Sequence, residues 1–171
     1  MKQANLPSQP RAATRRIAGH AQEDHVLDPY EQREKLHDGT LCPQCGAVYH
    51  EGRWRWASTS EGGNKSLCAA CRRINDNFPA GIVKLLGIFG QQQMDEIVRL
   101  ARPQEDAEKR EHPLNRIIGV EEEDEAIIIK TTDIHLPRRI GAAVRRAFHG
   151  RLEEEFDPSG YLVRVTWTAD R

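Results

Sequence analysis

The sequence predicts an α+β protein built around one metal-binding module. Three observations predict it: two Cys-x2-Cys pairs, apolar residues at helical spacing after them, and a C-terminal third in which strand and helix periods alternate. Cys42 and Cys45 form the first pair, Cys68 and Cys71 the second, and these are the only 4 cysteines in the chain. A Cys-x2-Cys turn aims both sulfurs at one point, and two such turns complete a tetrahedron. The pattern therefore points to a single structural Zn2+, because a catalytic zinc keeps one position open. Two unrelated buried or redox-active pairs are the plainer reading, but a lone redox dithiol would not bring a second copy of itself. His50 lies nearby, yet four thiolates already fill a zinc shell.

Taken in order, residues 1–40 read as a disordered or extended basic tail, poor in aliphatic residues and unable to bury enough surface to fold alone. Within it, residues 30–37 are expected to form a helical turn or two only when docked, anchored by Tyr30 and Leu36. Residues 41–78 are the four-cysteine zinc module: a first knuckle, a strand or hairpin through 47–57, a Ser- and Gly-rich loop at 58–65, and a second knuckle that opens a helix. Zinc ribbon and treble-clef-like arrangements both remain open.

Residues 79–113 read as a helical connector. Ile82, Leu85, Leu86 and Phe89 form one apolar cluster, and Met94, Ile97, Val98 and Ala101 another at helical spacing, with Gly87 and Gly90 at the join. The helix is expected over about 91–102 and is free to resume after Pro103, with 104–111 charged all round and solvent-exposed. Residues 114–171 read as a small ββαββ domain: a hairpin over 116–122 and 125–132, a helix over 136–149, and a hairpin over 151–157 and 161–168 turned by Pro158-Ser159-Gly160. Tyr161, Val163, Val165 and Trp167 alternate with more polar neighbours, the period of a strand with one buried face.

Composition narrows the function classes. At 171 residues, 38% hydrophobic and 30% charged, a single large core is not expected, and no stretch approaches the length of a bilayer span. The first thirty residues carry no secretory pattern, so a cytoplasmic protein with reduced thiols is expected. The net charge of −1 conceals segregation: residues 1–20 are basic, 105–125 acidic, and 138–146 basic again.

Those basic segments hold the candidate RNA contacts. Along the helix at 136–149, Ile140, Ala143, Val144, Ala147 and Phe148 fall on one arc, with Arg138, Arg139, Arg145, Arg146 and His149 opposite. Arginine grips phosphate bidentately, so this face suits an RNA backbone; the plainer reading is a solvated face partly neutralised by the Glu153–Glu155 run. The module adds Arg53, Arg55, Arg72 and Arg73, and the tail adds Arg11, Arg15 and Arg16. Trp54 and Trp56 lie two apart, so on a strand they share a face and cover the zinc core. No histidine stands at nucleophile–base spacing from Ser, Cys or carboxylate, no phosphate-cradling glycine loop occurs, and the acidic run at 121–125 reads as a solvated turn, so no enzyme is expected.

The segments Cys-Pro-Gln-Cys-Gly-Ala-Val-Tyr-His-Glu-Gly-Arg-Trp at 42–54, Cys-Arg-Arg-Ile-Asn-Asp-Asn-Phe-Pro-Ala-Gly at 71–81 and His-Pro-Leu-Asn-Arg-Ile at 112–117 resemble a bacterial zinc-ribbon family of low-oxygen-response loci. That family is more loosely similar to the zinc-binding region of the archaeal and eukaryotic adaptor of the large ribosomal subunit. The resemblance implies ribosome association and a role in stress or dormancy; with a single zinc site here, the adaptor's export role does not carry over. The combined expectation is a non-enzymatic, zinc-stabilised protein that binds rRNA on the ribosome in a hibernation-type role, is monomeric when free, and takes no membrane or small-molecule partner. The rivals are a zinc-ribbon protein-protein adaptor, docking through the acidic hairpin, and a DNA-binding transcription regulator, the latter disfavoured by the lack of a helix-turn-helix.

Overall fold

The computed structural model describes residues 28–57, 63–87, 91–158 and 160–170. The expectations for the tail through residue 27, including Arg11, Arg15 and Arg16, and those for residues 58–62, Phe89, Gly90 and Ser159 lie outside the described residues. Mixed helices and strands form two sheets.

The first sheet belongs to the cysteine module. Strands β1 (Thr40–Leu41), β2 (Val48–His50) and β3 (Arg53–Arg55) pair antiparallel in that order. Glu51 and Gly52 turn the β2–β3 hairpin with φ of 48° and 81°, a left-handed pair that twists with the strands. Helix α1 (Ala69–Asn75) starts on Cys68, whose sulfur accepts the N–H of Cys71. Tyr49 and Trp54, edge to face, complete a small core with the cysteines, Ala47 and Ala70.

Composition assigned residues 28–39 to the tail, but the structure packs them on this module. Asp28 accepts from Arg73 at 2.6 Å, the Tyr30 ring lies over the Arg73 guanidinium, and Leu36 joins the cysteine core. A segment short of aliphatic residues is thus held by ion pairing and cation–π contact. No helix forms over 30–37.

The second sheet has the order β5-β6-β4-β8-β7, where β4 is Gly81–Leu86, β5 Ile117–Glu123, β6 Ala126–Thr131, β7 Gly150–Phe156 and β8 Val163–Ala169. β4 pairs antiparallel with β6 and parallel with β8. The C-terminal segment is therefore not a self-standing ββαββ unit, because β4 from the expected connector sits between its two hairpins. Its helix-facing residues, Val83 and Leu85, are fully buried against Ile127, Ile129, Val165 and Trp167.

Helices α2 (Gln91–Glu111) and α3 (Leu136–Ala147) follow β4 and β6. The β4-to-β5 and β6-to-β7 crossovers start in opposite strand directions and travel opposite ways, so one right-handed rule puts both helices on the same face. There they pack on each other and on the sheet. Asp133 caps α3 by accepting the N–H groups of His135 and Leu136.

α2 is continuous through Pro103, which stands on the exposed side together with Arg99, the residue whose carbonyl loses its donor. Its second half is not solvent-exposed all round: the buried stripe of Ile97 and Ala101 continues through Glu105 and Glu108. Each carboxylate is satisfied. Glu105 accepts the Ile117 N–H, freed by a bulge between Ile117 and Gly119, and an ion pair from Arg102. Glu108 accepts from Asn115 and from Arg139 of α3.

Burial pushes the Glu108 carboxyl up, but the Asn115 and Arg139 bonds outweigh it and hold the group below its ordinary 4.5. A depressed carboxyl contributes stability that is present above the unfolded value and lost as pH falls through the folded one. Because Arg139 is half exposed, the contribution is discounted to about 1 kcal/mol. Glu108→Gln should lower urea stability by that order at neutral pH, with the gap to the parent closing below the ordinary carboxyl range; a gap independent of pH would refute the ion-pair role.

Candidate metal centre

The sulfurs of Cys42, Cys45, Cys68 and Cys71 all lie within 4.8 Å of one another, positioned to bind a metal ion. The backbone explains the convergence. Gly46, at φ 79°, closes the first knuckle so that its N–H reaches the Cys42 carbonyl, and Cys68 and Cys71 sit one helical turn apart at the start of α1. The Cys42–Cys71 and Cys45–Cys68 sulfur separations are 3.7 and 3.8 Å. A zinc tetrahedron with bonds of about 2.3 Å has edges of about 3.8 Å, so the donor set fits a four-thiolate zinc. His50 is exposed and faces Asp38, outside this set.

Burial raises the Cys42 thiol, but amides of Cys68, Cys45 and Gln44 directed at its sulfur bring it down to about 7. Burial also pushes the Cys68 and Cys71 thiols up, opposed by the Cys71 amide at the first and the Arg116 guanidinium at the second. Arg116 was not among the sequence-derived site residues. It is 7% exposed, and its Nη2 donates to both Cys68 and Cys71.

The candidate RNA contacts divide into three groups. Arg73 is buried, held by Asp28, the Phe78 carbonyl and the Tyr30 ring, so a phosphate cannot reach its guanidinium; Arg72 turns to the Tyr30 carbonyl. Both were candidate RNA contacts, but a helix that begins on the cysteines must turn one side toward the segment at 28–30. Arg53 and Arg55, exposed on β3, line a cleft of about 1130 Å³ between the module and the second sheet, with Tyr30, Tyr161, His112 and Asn115. Glu31 and Glu111 share its walls. Arg138 and Arg139 line a second cleft of about 760 Å³, where they pair with Glu154 and Glu108. The two clefts share His112 and Asn115. Arg145 and Arg146 are exposed on the last turn of α3, beyond both clefts, and form no ion pair among the described residues. Trp54 is buried in the module core, whereas Trp56 is 39% exposed, with its indole N–H on the Lys109 carbonyl.

No protein-family model, curated protein or solved structure matches the chain.

Metal ligation requires thiolates, so the raised Cys68 and Cys71 thiols must lose protons on binding, and affinity should weaken as pH falls. Chelator competition across the neutral-to-acid range should show this slope, and Cys45→Ser should abolish stoichiometric zinc retention. A flat profile, or a variant that retains zinc like the parent, would remove the four-thiolate assignment.

Proposed function

We propose that the chain is a non-enzymatic, zinc-stabilised RNA-binding protein that associates with the ribosome in a stress or dormancy role, with one zinc at the four-cysteine cluster. We read the knuckle, hairpin and following helix as a treble-clef arrangement. The observation that carries the RNA reading is the pair of adjoining clefts: sharing His112 and Asn115, they bring Arg53 and Arg55 of β3 and Arg138 and Arg139 of α3 onto one concave surface. Guanidiniums along such a surface match a phosphodiester backbone, and Tyr161 offers a ring for an unstacked base. The Arg138–Glu154 pair does not oppose this, because a largely exposed ion pair is worth about 0–1 kcal/mol and exchanges readily for phosphate, whereas Arg139 stays engaged with the buried Glu108 and offers phosphate only its exposed side. Arg53 in the first cleft, and Arg145 and Arg146 beyond the two clefts, have no carboxylate to displace among the described residues and so are free to take phosphate. Ribosome association and dormancy rest on the sequence resemblance. Among the described residues no helix is long and apolar enough to cross a membrane.

Each arginine–phosphate pairing removed should reduce the slope of log affinity against log salt by about 1, so replacing Arg53, Arg145 and Arg146 by Gln should flatten it by about 2–3. The measurement is a salt series on an rRNA fragment, paired with ribosome co-sedimentation. Equal affinity for duplex DNA would favour the regulator reading, and ribosomal-protein binding without rRNA binding the adaptor; an unchanged slope would show that these arginines are merely solvated.

A further inference from the structure

Arg116 reaches the cysteine cluster from the loop before β5, its Nη2 3.2 Å from the Cys68 sulfur and 3.3 Å from the Cys71 sulfur. None of the ion pairs among the described residues gives it a carboxylate. A buried guanidinium without a counter-charge is costly, and so is a buried anion. Four thiolates around a divalent zinc carry a net charge of about −2, so the two groups neutralise each other.

The backbone of the same residue is fixed to the second sheet. The Arg116 N–H donates to the Thr132 hydroxyl at 2.9 Å, and the Thr132 N–H donates to the Arg116 carbonyl at 2.9 Å. Thr132 follows β6 directly and precedes Asp133, the cap of α3. Leu114, two residues earlier, packs into the cysteine core. One residue thus spans from the metal ligands to the sheet.

We propose that Arg116 is the outer cation of the metal centre, so that metal occupancy and the docking of the second sheet on the cysteine module are one coupled equilibrium. This goes beyond RNA binding and rests on the metal reading alone. Loss of metal disperses the sulfurs that the guanidinium contacts, and loss of the guanidinium leaves the centre under-neutralised and weakens the metal.

The test uses the full chain and the variants Arg116→Met and Arg116→Lys. In Arg116→Met, zinc affinity measured by chelator competition should fall about 10-fold or more, the range found when groups that hydrogen-bond metal ligands are removed. In the cobalt-substituted protein the sulfur-to-cobalt charge-transfer band should shift, a readout that a purely packing role would leave in place. Chelation of the parent should release the Trp56 indole N–H, which bonds across the joint to the Lys109 carbonyl, to exchange while Ile129 and Val165 stay protected. If Arg116→Met does not fold, Arg116→Lys carries the spectroscopic test, since lysine keeps the charge but not the forked donor geometry. A metal-loaded variant with the parent's affinity and band would overturn the Arg116 role alone; a parent that takes up neither zinc nor cobalt would overturn the metal reading and this inference with it.

Discussion

Four sulfurs held within 4.8 Å of one another are the constraint on which the rest depends. As thiolates they repel strongly in a buried site, and as thiols they are too small a hydrophobic group to hold a hairpin, a helix and an incoming loop together. A metal ion resolves the repulsion, and the donor geometry fits zinc. The local features then have reasons. Gly46 turns the first knuckle, Cys68 begins α1, the amide of Cys68 points at the Cys42 sulfur, and the Tyr49–Trp54 pair seals the side facing the hairpin.

The second sheet meets this centre through Arg116. Its own core of Val83, Leu85, Ile127, Ile129, Val165 and Trp167 is closed by α2 and α3 and owes little to the module. Its position against the module is set by Leu114, Arg116 and the Trp56–Lys109 bond. That joint creates the larger cleft, and the proposed RNA surface is a product of it: move the sheet, and the β3 arginines no longer adjoin those of α3.

Much of this was legible in the sequence because the signals were local. Cys-x2-Cys spacing fixes ligand geometry within one turn, the buried face of α3 shows in Ile140, Ala143 and Val144, and the alternation of Val163, Val165 and Trp167 marks the face of β8. β4 was not legible as a strand, because a short continuous apolar run reads the same in a buried strand and a buried helix; only its place between β6 and β8 decides. The burial of Glu105 and Glu108 was present as spacing, since they extend the Ile97–Ala101 stripe, but carboxylates mask such a stripe when polarity alone is followed. Arg73 lies three residues after the buried Ala70 on α1, which could have separated it from its neighbour Arg72. Arg116 had no signal in spacing or periodicity, although it lies in the 112–117 segment that carries the resemblance: its role exists only once Cys71 and Cys68, 45 and 48 positions earlier in the chain, are brought beside it.

On this reading the metal centre holds together the proposed RNA surface. The most direct test is the affinity of the full-length protein for an rRNA fragment, measured at fixed salt before and after zinc is stripped by a chelator and again after zinc is restored. Affinity should fall on stripping and recover on restoration. Undiminished binding by protein verified to be zinc-free would contradict this reading, and would detach the RNA surface from the cysteine centre.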